Sequence, residues 1–179
     1  MKPNLNLDLC KMAEEIINRV AKSKLISLNL EDFYPSGKRV AIDIKNWLFQ
    51  GLILKEKDFR ETLKNYNWSE FKNNYVAVFC SSDAIVPAWA YMLVQTHLNG
   101  ISKKTVFGTL ETLETVLFCS IIENLDLDFC KEKSVIIKGC PEKPVPQNAY
   151  LLLLERLQPV ARSIMYGEAC SSVPLFKRK

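Results

Sequence analysis

One histidine, His97, stands in 179 residues, and no CxxC pair, GxSxG, GxGxxG or Walker A pattern occurs anywhere. The first shortage leaves Ser-His-Asp catalysis without a placed base, because His97 falls late in an expected helix, remote from the strand ends where a site would form. It reads as a surface or C-capping residue rather than a metal ligand. The missing glycine patterns leave no phosphate-cradling loop, and the missing CxxC removes the strong zinc signal. Long apolar runs are lacking too. LLLL at 151–154 falls far short of a span, and the N-terminus, MKPNLNLDLCKMAEEI, carries neither signal peptide nor anchor. The expectation is a soluble, cytoplasmic protein with no membrane association. Net charge is +4, with acids and bases interspersed and one basic cluster at Lys177, Arg178 and Lys179, so nucleic acid is not an expected partner.

What is present suits a globular core: 48% of the residues are apolar. Residues 1–11 read as a flexible N-terminal extension and 12–179 as a single α/β domain. MAEEIINRVAKS, from Met12, has the spacing and charge order of a short amphipathic helix. KLISLNLEDF and RVAIDI alternate around the turn residues YPSGK, which predicts a hairpin. WLFQGLIL is too short to assign, and a charged helix follows around Asp58 to Lys64. YVAVFC (75–80), KTVFG (104–108) and SVIIKG (134–139) are short apolar runs, each followed by a helical pattern: near Pro87 to Leu98, Thr109 to Asn124, and Gln147 to Met165. Strand–helix alternation of this kind predicts a three-layer α/β/α fold with a mainly parallel central sheet, the two earlier strands adding a mixed N-terminal edge.

In such sheets ligands bind beyond the carboxyl ends of the strands, where loops converge. Two of the six cysteines, Cys80 and Cys140, emerge there, and CSSDAIVP (80–87) is echoed by CSSVP (170–174). In a reducing compartment cysteines are thiols, so these positions point to metal binding, redox chemistry or plain burial. Cys119 fits a buried helical face; Cys10 and Cys130 have no motif around them. Cys80, Cys140 and Cys170 differ in their small or hydrogen-bonding neighbours, among them Ser81, Ser82 and Gly139. Thiolates suit zinc, iron or an iron–sulfur cluster, with Asp83 or Glu168 as a further ligand. Asp83 reads equally well as a cap for the helix after it. The expected long helix would start Cys170 at the opposite sheet edge, so its tail would have to fold back. Lys138 and Lys143, among Pro141, Pro144 and Pro146, form either a stiff loop or an anion-recognition element.

KGCPEKPVPQNAY (138–150), LQPVARSIMYGEACSSVPLFKRK (157–179) and CSSDAIVPAWAYML (80–93) resemble an uncharacterised bacterial family, domain of unknown function 2480. The resemblance runs from MAEEIINRV at Met12 to the end. It implies, through the genes that accompany the family, a connection with iron–sulfur cluster assembly and its proteins. Three functions then compete: an accessory in cluster assembly or metal handling that uses Cys80, Cys140 and Cys170; a sulfur-transfer or thiol enzyme with Cys80 as nucleophile; and a scaffold docking through Trp47, Trp68 and Trp89.

Overall fold

The structure is a computed structural model and describes residues 25–139, 142–168 and 170–179. The helix expected from Met12, together with Cys10, Cys140 and Pro141, lies outside the described residues. Seven strands and four α-helices alternate along the described chain: β1 (Leu25–Leu28), β2 (Arg39–Asp43), α1 (Glu56–Asn65), β3 (Tyr75–Phe79), α2 (Ala88–Leu98), β4 (Lys104–Phe107), α3 (Leu110–Glu123), β5 (Ser134–Ile137), α4 (Gln147–Leu157), β6 (Ser163–Glu168) and β7 (Ser171–Lys177). The α/β class and the mostly parallel pairing follow the sequence pattern. The strands divide into two sheets, β2-β3-β4 and β1-β5-β6-β7.

β3 explains why its unbroken apolar run forms a central strand. Successive side chains point to opposite faces. Val76 and Val78 enter a core with Phe59 and Leu63 of α1 and Val94 of α2, while Ala77 faces Leu113 and Leu117 of α3 on the other side. All three β3 residues are buried, as a strand covered on both faces requires. The larger sheet packs Val135, Ile137 and Ile164 against Ala149, Leu153 and Leu157 of α4 and against Phe118 and Ile122 of α3. Helix α3 therefore serves both sheets: its first half lies on β3 and its second half enters the core of the four-stranded sheet.

The expected β1–β2 hairpin does not form. β1 pairs parallel with β5, Leu25 opposite Ser134, and β2 pairs parallel with β3, Arg39 opposite Tyr75. The two apolar faces belong to different cores: Leu28 packs beside Ile137, and Ile42 beside Phe59. The link between them is held by a 3-10 turn, Leu30–Phe33, whose Leu30 is itself buried and whose Asn29 caps the Glu31 amide. The mixed edge is C-terminal instead, where β7 runs antiparallel to β6.

The expected helix from Gln147 to Met165 ends at Leu157. Pro159 supplies the reason, since a proline has no N–H to donate and its ring clashes with the preceding turn. SIMYGE then becomes β6, with Ile164 buried in the core. Because β6 runs parallel to β5, it carries the chain back to the carboxyl edge of the larger sheet, where Cys170 follows. No refolding tail is needed to bring Cys170 there.

Candidate functional site

Parallel pairing of β2, β3 and β4 brings Asp43, Cys80 and Phe107 to one rim, since Asp43 is level with Phe79 and Phe107 with Val78. The Asp43 carboxylate accepts hydrogen bonds from the Lys45 and Ser81 amides, both at 3.0 Å. Burial alone would raise its pKa, but the hydroxyl and amide of Ser81 and the amide of Lys45 outweigh it and hold the carboxyl below its usual value. The first residue after Cys80 is thus fastened to the neighbouring strand. Half-buried Cys80 places Sγ 3.2 Å from the Ser82 hydroxyl.

Tyr91, from the first turns of α2, closes this rim and rests its ring edge-on against Phe107 at 4.7 Å between centroids. Burial, and then the charges that Cys80 and Asp43 carry when ionised, hold the Tyr91 phenol above its usual range. Helix α2 begins only at Ala88, after Pro87, so Cys80 does not lie in its first turn. The polar group beside the Cys80 sulfur is the Ser82 hydroxyl rather than a helix N-terminus. The rim therefore holds one half-buried sulfur on a fixed strand end, beside the Ser82 hydroxyl.

A second concave feature, a cleft of about 540 Å³, lies where Tyr34, the start of α3 and the Pro144–Gln147 segment meet. Its buried polar centre is structural. Arg39 Nε donates to Glu114 at 2.7 Å, its Nη1 donates to the carbonyls of Pro35 and Gly37, and Tyr34 donates to Glu114 at 3.1 Å. Arg39 also lies over the Tyr34 ring at 4.1 Å. These bonds tie the β1–β2 connection to α3 and leave the guanidinium occupied.

The cysteines expected to share one sheet edge are carried by two sheets. Cys80 ends β3 of the three-stranded sheet; exposed Cys170 lies between β6 and β7 of the other; Cys140 lies outside the described residues. Among the described residues, no group of three or more His, Cys, Asp or Glu side chains could hold a metal ion. Asp83 and Glu168 are exposed, Asp83 on the loop after β3 and Glu168 at the end of β6 in the other sheet, and Ser81 and Ser82 follow Cys80. The Lys138 amide donates to the Leu28 carbonyl, and the Gly139 carbonyl accepts from the Tyr166 hydroxyl at 3.0 Å, so both backbone groups secure the larger sheet.

Lys143 is spent on Glu31, through its amide and, at 3.2 Å, from its ammonium to the carbonyl, which fits the stiff-loop reading. That amide bond is the main cause of a lowered Glu31 pKa. Cys130 is buried and Cys119 half-buried. His97 stacks on Trp68, centroids 5.0 Å apart, and so packs rather than caps. Trp47 and Trp89 meet Phe59 edge-on, and Trp68 is buried with it, so the tryptophans mainly fill the core of the three-stranded sheet.

Sequence reasoning missed Asp43, Tyr91, Arg39 and Glu114. The acid in RVAIDI, Asp43, was a usable signal: parallel pairing of that run with YVAVFC would have put it beside Cys80, and the hairpin expectation concealed this. No helix among the described residues is long and apolar enough to cross a membrane. The family model described as "Protein of unknown function (DUF2480)" matches residues 14–178. No curated protein and no solved structure matches the chain.

Proposed function

The chain belongs to the DUF2480 family, and from the rim geometry we propose that its working group is the Cys80 thiol, as the nucleophile of a sulfur-transfer or thiol enzyme. The observation that carries this reading is one sulfur at the end of a central parallel strand, half-buried, 3.2 Å from the Ser82 hydroxyl, on a loop fastened by Asp43. In sulfur transfer the Cys80 thiolate would attack the terminal sulfur of a donor persulfide. The donor S–S bond breaks as the new one forms on Cys80, and the donor cysteine leaves as thiolate, with no net oxidation. Ser82 O–H would donate to the thiolate before attack. Such chemistry fits the reducing cytoplasm expected from the sequence. Iodoacetamide labelling followed by peptide mass spectrometry tests it. Cys80 should react at mildly acidic pH several-fold faster than in the urea-unfolded chain, and Ser82→Ala should slow it. A folded-state rate no higher than the unfolded one overturns the reading.

A second reading, an accessory to iron–sulfur assembly proteins that holds zinc, iron or a cluster, is supported by the course of β6. That strand runs beside β5 and delivers Cys170 to the edge from which Lys138 and Gly139 lead into Cys140. It depends on Cys140 and Cys170 acting together, with Cys80 as a separate site or a later ligand. Anaerobic purification with metal analysis and visible absorption should give about one metal equivalent lost in Cys170→Ser. Protein that is apo and refuses reconstitution removes this reading.

A further inference from the structure

Successive strand residues face opposite ways, so the larger sheet has a second face behind its core. Val135, Ile137 and Ile164 point to α3 and α4. The other face carries Ser27, Ile136, Met165 and Pro174 in one row across its four strands, with Ser134 and Ser163 in the next. Two contacts tie these side chains together: Ser163 donates to the Ser134 oxygen at 2.9 Å, and the Ser172 hydroxyl donates to the Met165 sulfur at 3.7 Å. None of the four described helices supplies a layer there. Helices α1 and α2 belong to the core of the three-stranded sheet, and α3 and α4 meet the larger sheet on its opposite side. Yet Ile136 is only 3% exposed, although it belongs to none of the three cores. A strand between parallel neighbours needs cover on both faces, and the second cover lies outside the described residues.

We propose that this face is a docking site for the chain's own residues 12–23, which lie along β5 and β6 as an amphipathic helix and set Ile16, Ile17 and Val20 on Ile136 and Met165. The pattern of burial selects a single helix. One helix is about 10 Å across and covers two strands about 4.8 Å apart. Cover of that width is what the face records: Ile136 on β5 is buried and Met165 on β6 half-buried, whereas Ser27 on β1 and Pro174 on β7 are exposed. A second copy seated through its own sheet would cover all four strands. The segment also has the right shape. At 100° per residue Ile16, Ile17 and Val20 fall within an arc of about 100°, with Glu15, Asn18 and Lys22 opposite. Twelve residues of helix span about 18 Å, close to the length of a six-residue strand such as β6. Its place in the chain completes the argument, because Ala21 to Lys24 lead straight into β1 of this sheet, and links of this kind take about 2–6 residues. The docking concerns the larger sheet and is independent of the Cys80 chemistry.

The test is methyl NMR on the full chain, labelled at its isoleucine, valine and methionine methyl groups. The Ile136 δ1-methyl should give nuclear Overhauser cross-peaks to a methyl of Ile16, Ile17 or Val20. An isotope-filtered spectrum of labelled and unlabelled chains mixed in equal amounts should lack them, which makes the contact intramolecular. Ile17→Asp should abolish the cross-peaks, move the Ile136 and Met165 resonances and lower the thermal midpoint by at least about 3 °C, while Ile17→Leu should preserve all three. If the aspartate variant does not fold, the wild-type cross-peaks decide alone. Absence of any contact between Ile136 and residues 12–23 overturns the proposal. Cross-peaks that survive isotope filtering overturn it too, since a second copy would then be the cover, as do wild-type Ile136 and Met165 resonances in a folded Ile17→Asp chain.

Discussion

Glu114 is the one charged residue buried among the described residues, and Arg39 and Tyr34 both donate to its carboxylate. Removing either partner strands a charge in a poorly hydrated place, which typically costs 3–5 kcal/mol, whereas replacing both by apolar groups recovers much of that. Glu114→Ala should therefore lower stability by about 3 kcal/mol in urea unfolding. The double variant Arg39→Met/Glu114→Leu should be clearly more stable than that single variant. Equal loss in the two would mean that the pair only fills space.

Burial raises the pKa of the Cys130 thiol and of the phenols of Tyr34, Tyr66 and Tyr91. In each case the folded chain holds its proton to higher pH than the unfolded chain does. The associated stability is complete below the unfolded values, about 8.5 for a thiol and about 10 for a phenol, and is lost as pH rises through the raised folded values. Thermal midpoints should be level near neutrality and begin to fall above about pH 9. Cys130→Ala should start from a lower midpoint, because a fully buried side chain is trimmed, yet show a shallower decline between about pH 9 and 10. An equally steep decline would exclude the thiol as its source.

At the scale of elements, β3, β4 and β5 and the helices after the first two could be read directly, because unbroken apolar runs and helical periodicity are local signals. Partner choice is not local. RVAIDI looks the same whether Val40 faces a hairpin mate or a parallel neighbour, and only the allocation of Leu28 and Ile42 to different cores decides it. The overlong final helix was a misreading of a signal that was present, Pro159. The site was legible to the same degree: Cys80 and its serines were visible in CSSD, while Asp43 and Tyr91 reach that rim only through tertiary pairing.

Gly139 shows how tightly β5 and β6 are fitted. A Cβ there would fall 2.5 Å from the Tyr166 ring, whose hydroxyl bonds the Gly139 carbonyl. Gly139→Ala must push the ring aside, and should cost about 1–3 kcal/mol as overpacking does. Tyr166→Phe, which loses only the hydrogen bond, should cost about 1 kcal/mol. If the alanine variant proves the milder in denaturant titration, the ring is not confined as described.

At the scale of the whole molecule, α3 decides whether the two sheets behave as one body. Leu113 and Leu117 lie on the three-stranded sheet, and Phe118, with no exposed surface, lies in the core of the other. Phe118→Ala should cost about 3–5 kcal/mol. The loss should be common to both sheets. Tryptophan fluorescence reports the three-stranded side, where Trp68 is buried, and hydrogen exchange of the β5 amides reports the other. Coincident midpoints are expected; a tryptophan transition left at the wild-type midpoint would make the sheets independent.

The pairing of Leu25 with Ser134 has a further consequence for biogenesis. A nascent chain leaving the ribosome offers β1 more than a hundred residues before β5 emerges, whereas β2, β3 and β4 follow one another closely and can pair at once. The earliest strand of the larger sheet must then wait, edges bare, for the later half of synthesis. Nucleation on the ribosome would begin in the middle of the polypeptide and finish by recruiting its beginning.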